Sequence, residues 1–148
     1  MNSAPFDRCV VQRLIMANRD DVFRAWTSEE FARRWNWGRR YETVTVSIEC
    51  RHGGVWNQQI RDRETGELWT FRGEFREVRV PSRLVHTFHW TSDRGADEGE
   101  SLVEIDFVRA ADGTKVIITH SELRGEKQRD GTGSGWTEIL ESIAECFA

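Results

Sequence analysis

The C-terminal stretch GWTEILESIAECFA places Trp136, Ile139, Leu140, Ile143, Ala144 and Phe147 at i, i+3, i+4, i+7, i+8 and i+11. Glu138, Glu141, Ser142 and Glu145 fall on the opposite side. This is one broad apolar stripe along an amphipathic α-helix. Such a stripe has to be covered, so whatever covers it decides the fold.

The rest of the chain offers mainly strands. Residues 8–17, RCVVQRLIMA, read as a strand. From residue 41 apolar residues recur every second position, the period of a half-buried strand. Val44, Val46, Ile48 and Cys50 alternate first, then Trp56, Gln58 and Ile60 after the turn signal HGG. Trp69, Phe71, Gly73 and Phe75 follow, and Pro81-Ser82 breaks that run. Leu84, His86, Phe88 and Trp90 share the next face. SDRGADEGE, 92–100, reads as a loop. Val103, Ile105 and Phe107 come next, then a hairpin turn centred on Asp-Gly, then Val116, Ile118 and His120. EKQRDGTGSG, 126–135, reads as a flexible connection to the last helix.

Between the first two strands lie helix signals. Asn18 suits an N-cap, and Val22, Phe23 and Trp26 share one helical face. Thr27 and Glu30 have capping-box spacing for a second short helix, which carries Phe31 and Trp35. Trp26 and Trp35 are expected to staple this pair onto the sheet and close one end of a cavity. The order is strand, two short helices, six strands, long helix. It predicts an α+β fold: a curved antiparallel sheet of about seven strands wrapped around the C-terminal helix.

A chain of 148 residues is expected to be one domain, 1–148. The formal charge of −4, with both signs interspersed, leaves no footprint for nucleic acid. RWNWGRR reads as a solvated loop. No apolar run approaches the roughly 20 residues of a membrane span. MNSAPFDRC has no apolar core of a secretory signal. Cys9, Cys50 and Cys146 are far apart and form no CxxC pair, so they are expected as reduced thiols in a cytoplasmic protein.

Several local motifs, in this order, resemble the START-like superfamily, whose helix-grip fold is that of the birch-pollen allergen. VFRAWTSEEFARRW resembles its helix pair, GGVW a strand start, and FRGEFREVRVPSRLVHTF two strands around a Pro turn. GTKVIITHSEL and the GW before the last helix continue the likeness. Within the superfamily the sequence looks like the branch named after the activator of the heat-shock-protein-90 ATPase. It departs at Asn18, where that branch usually has Pro, and at Asn36, which separates Trp35 from Trp37. The resemblance implies a helix-grip fold with a cavity between sheet and helix. Similar proteins bind lipids or hormones, or act as polyketide aromatase/cyclases. Chaperone interaction is not expected, because the branch's namesake carries an additional domain.

The candidate ligand-binding residues are Trp37, Trp56, Gln58, Phe71, Phe75, His86, Phe88, His120, Trp136, Ile139 and Leu140. Trp37, beside several arginines, is the candidate for a cavity mouth. His86, His120 and Gln58 are the polar groups that alternation points inward, and His89 is expected to point outward. Ser121 beside His120 is no catalytic pair, since neighbours on a strand face opposite ways. No catalytic residue, metal site or cofactor is assigned. The expected function is binding of a small, largely apolar molecule, aromatic or lipid-like, with a homodimer as a further partner expectation. Two alternatives stay open. One is a cyclase- or hydrolase-like enzyme using a cavity histidine as acid–base. The other is a protein that stimulates a chaperone ATPase. Gly73 is expected to be a position where a large side chain fills the cavity.

Overall fold

The computed structural model describes residues 7–35 and 40–148. In chain order it contains β1 (Asp7–Ile15), α1 (Arg19–Thr27), α2 (Glu29–Trp35), β2 (Tyr41–Ile48) and β3 (Val55–Asp62). These are followed by β4 (Leu68–Arg79), β5 (Arg83–Ser92), β6 (Asp97–Ala110), β7 (Gly113–Leu123) and α3 (Glu126–Cys146). The strands make one antiparallel sheet in the order β1-β7-β6-β5-β4-β3-β2. From β2 to β7 each strand pairs with its successor, as short connections require. The expected α+β architecture, a seven-stranded curved sheet with a long C-terminal helix, is the one found.

Alternation sets the inner face. Val103, Ile105 and Phe107 on β6, and Val116 and Ile118 on β7, are all buried with Ile139, Leu140 and Ile143 of α3. The edges of the helix rings of Phe23 and Trp26 meet Phe107 at 5.2 and 5.8 Å, which fixes α1 on the sheet. Phe31 of α2 stacks on Phe147 at 5.4 Å. A bulge between Thr43 and Thr45 shifts the phase of β2, so Val44 is exposed and the expected alternation holds only from Val46.

The structure departs from four local expectations. The cap of α2 is Ser28, whose Oγ accepts from the Phe31 amide at 3.2 Å. Thr27 is still helical and its hydroxyl donates to the Phe23 carbonyl. The β6–β7 turn is Ala111-Asp112, because Ala110 pairs with Gly113. Gly113 serves a close approach instead: a Cβ there would stand 2.2 Å from the Ile15 carbonyl oxygen. Most of 92–100 is strand, leaving only residues 93–96 to turn. Finally, 126–135 is helix and not a flexible connection. Gly125, at φ +93°, turns the chain out of β7, and the Gln128 side chain ties the first turn to the Arg124 amide and the Glu98 carbonyl.

At the far edge of the sheet, Asp62 ends β3 with its side chain only 3% exposed. Nε of Arg40 donates to both of its oxygens at 3.0 Å, and Nη2 donates at 2.7 Å. The Glu64 and Thr65 amides donate to Oδ1. The pairing closes the β3–β4 turn and holds the Asp62 carboxyl well below the usual carboxylate range, the Arg40 hydrogen bonds being the largest cause.

Candidate functional site

The stripe that buries the second half of α3 continues into its first half with different residues. Gln128, Gly131, Thr132 and Gly135 occupy the positions that Trp136, Ile139, Leu140 and Ile143 occupy further on. Large side chains pull the C-terminal half onto the sheet. Small ones leave a gap under the N-terminal half. Each glycine costs about 1 kcal/mol of helix propensity relative to Ala. A Cβ at Gly131 or Gly135 would meet nothing within 4 Å.

The gap is a cavity of about 580 Å³, within the range of small-molecule sites. Its sheet wall is Trp69, Phe71, Phe88 and Trp90, together with Ser101 and His120. Trp69 and Trp90 meet edge to face at 5.2 Å. Arg124, Lys127 and Glu98 stand at the rim. A second, inner cavity of about 50 Å³ is lined by Trp56, Gln58, Phe75, His86 and other residues. Phe88 and Trp136 line both, so these two rings stand between the chambers.

His120 is fixed by a chain of hydrogen bonds. Trp136 Nε1–H donates to its Nδ1 at 2.9 Å. An indole nitrogen is a donor only, so Nδ1 carries no proton and Nε2 does. Nε2–H donates to Ser101 Oγ at 2.6 Å, and Ser101 donates to the Phe88 carbonyl at 3.2 Å. Burial lowers the His120 pKa to about 3, with the neighbouring His86 contributing. His86 is anchored differently. Its Nδ1 lies 2.8 Å from the Thr87 carbonyl, so Nδ1 is protonated and Nε2 is the acceptor. Burial lowers its pKa to about 4. Both imidazoles are neutral near pH 7.

Of the expected site residues, Phe71, Phe88, His120 and Trp136 line the outer chamber. Trp56, Gln58, Phe75, His86, Phe88 and Trp136 line the inner one. Ile139 and Leu140 line neither; each is 1% exposed and packs in the core below. Trp37 and the Trp35 side chain lie outside the described residues. Trp26 packs on Phe107 and is among the residues lining the inner chamber. His89 faces away from the cavities and meets Asp97 and Arg72. Gly73 is not a cavity position, because a Cβ there would stand 1.9 Å from the Thr87 carbonyl oxygen.

Sequence reasoning missed Trp69, Trp90 and the first half of α3. The signal was present. Trp69 and Trp90 share the alternating faces of Phe71 and Phe88, and the small residues at 131, 132 and 135 continue the helical stripe. Among the described residues no group of three His, Cys, Asp or Glu side chains is placed to hold a metal ion. No helix is long and apolar enough to cross a membrane among them either.

Solved structures share this architecture. An uncharacterized protein from Rhizobium leguminosarum superposes with a TM-score of 0.81 at 21% identity, covering 96% of this chain and 94% of that one. An AHSA1 protein from Silicibacter pomeroyi gives 0.82 at 20% identity, covering 94% and 96%. An AHSA1-like protein from Aeromonas hydrophila gives 0.75 at 21% identity, covering 94% and 90%. These likenesses are of fold. The sequence has no significant match among curated proteins. Residues 16–148 match the family model described as activator of Hsp90 ATPase homolog 1-like protein. The chain belongs to that family.

Proposed function

We propose that the protein binds a small, largely apolar molecule in the chamber between the sheet and the first half of α3. The observation that carries this reading is the change in the α3 stripe. Where packing would favour large apolar residues the helix has Gly131, Thr132 and Gly135, over a wall of Trp69, Phe71, Phe88 and Trp90. Burying an aromatic molecule there gains about 25 cal/mol per Å² of apolar surface removed from water.

The enzyme reading has less support. An acid–base histidine needs a pKa near the working pH. Those of His86 and His120 are lowered to about 4 and about 3. Protonating His120 Nδ1 would also displace the Trp136 N–H.

Native mass spectrometry of the purified protein, with a thermal-shift panel of fatty acids, aromatic acids and phenols, tests the binding reading. A co-purifying mass or a concentration-dependent rise in Tm supports it. The rise should weaken in Gly135→Leu, which puts a side chain into the chamber. No bound mass and no shift across the panel would overturn it.

A further inference from the structure

Resting on that binding reading, we propose that the inner chamber is a seat for a hydroxyl group on an aromatic ring of the ligand. Gln58 donates to its oxygen, and His86 Nε2 accepts its proton.

Gln58 is 4% exposed and its Nε2 has no hydrogen-bond partner among the described residues. Leaving a buried amide N–H unanswered carries its full desolvation penalty. An apolar residue of similar size would remove that cost, so an unsatisfied amide beside a cavity calls for an acceptor from outside the chain. His86 is 6% exposed and lines the same cavity. Its Nδ1–H is committed to the Thr87 carbonyl, so the ring offers the lone pair of Nε2. One wall group therefore gives a proton and the other takes one.

The chemistry selects the occupant. Among the described residues the other lining side chains are apolar or aromatic, and none is Lys, Arg, Asp or Glu. A carboxylate would lose its hydration there with no counter-charge. An ether or ketone oxygen answers Gln58 but leaves Nε2 unmet. A hydroxyl does both. Trp56 Nε1 also lacks a partner among the described residues, but it packs over Gly73, where an added Cβ would stand 2.6 Å from it. It therefore faces the sheet.

Size gives the same answer. A water needs roughly 10–15 Å³ of such space. The chamber's about 50 Å³ admits an end group and not a second ring. The ring that carries the hydroxyl then lies beside Phe88 and Trp136, which line both chambers. Trp136 is held there by His120.

The test is isothermal titration calorimetry of 2-naphthol, naphthalene and 2-methoxynaphthalene against the wild type and Gln58→Leu. Gln58→Met stands in if the leucine variant folds poorly. In the wild type 2-naphthol should bind about tenfold tighter than 2-methoxynaphthalene, which lacks the bond to His86, and tighter still than naphthalene, which lacks both bonds. In the variant the preference of 2-naphthol over naphthalene should shrink by about tenfold, the share of the Gln58 bond, and the His86 bond should keep the rest. Equal affinities in the wild type, or a preference over naphthalene that is undiminished in the variant, would overturn the hydroxyl seat and leave the apolar chamber standing. No binding by any of the three would overturn the chamber reading, and the seat with it.

Discussion

Trp136 Nε1 donates to His120 Nδ1 at 2.9 Å, joining the last helix to the last strand across the floor of the outer chamber. The bond fixes which His120 nitrogen is protonated and which way the indole faces. It makes the histidine a structural member of the wall.

Trp136→Phe removes this donor and leaves His120 Nδ1 buried and unanswered. The expected loss is about 1–3 kcal/mol of unfolding free energy, read from urea denaturation. Nitrogen-15 NMR of the wild-type imidazole should show the proton on Nε2. A proton on Nδ1 would contradict the hydrogen-bond chain through Ser101.

The two buried histidines set a pH dependence with a definite sign. In the folded protein their pKa values are lowered to about 4 and about 3, from an ordinary value near 6.5. The unfolded chain therefore takes up protons first as pH falls. The stability of both sites is complete above pH ~6.5 and is lost on the way down to the folded values. Each contributes a slope of up to about 1.4 kcal/mol per pH unit. Urea midpoints should already fall between pH 6 and pH 5. A flat profile across that interval would show that the imidazoles are not held neutral.

Asp62 acts lower on the pH scale. Its folded pKa lies below the ordinary range because Arg40 and two amides hold the charged form. Its contribution is present above the ordinary carboxylate pKa and is lost as pH falls below it. Asp62→Asn should lower Tm at pH 7. The gap to the wild type should shrink once pH drops through the carboxylate range.

Two glycines should respond in opposite directions. Gly135→Leu puts a side chain into open space and improves helix propensity, so Tm should hold or rise by the equivalent of up to about 1 kcal/mol. Gly73→Ala drives a Cβ against the Thr87 carbonyl, within 1.9 Å, and should cost about 1–3 kcal/mol. Paired thermal melts of the two variants check the contrast.

The fold was legible because two periods are written plainly in the chain. Val103, Ile105 and Phe107, or Val116 and Ile118, can only be one face of a strand. Ile139, Leu140 and Ile143 can only be one face of a helix. The inward histidines followed from the same alternation. The first half of α3 did not, because Gly131, Gly133 and Gly135 look like a linker when propensity is read alone. Tertiary contacts outweighed propensity there: Gln128 anchors the first turn, and the packed second half carries the helix through. Gly73 was misread for a related reason. Alternation says which face a residue occupies, but not how closely the next strand's backbone approaches it. Val44 was lost to a bulge, which shifts phase without any mark in composition.

The most direct test of the central claim is a nitrogen-15 NMR titration of the wild-type protein with naphthalene. The indole N–H signals of Trp69, Trp90 and Trp136 and the amides of Gly131 and Gly135 are followed together. Saturable shifts concentrated on these groups are the predicted result. No shifts, or shifts centred on the exposed outer residues Val10, Leu14 and Met16, would contradict a ligand chamber under α3.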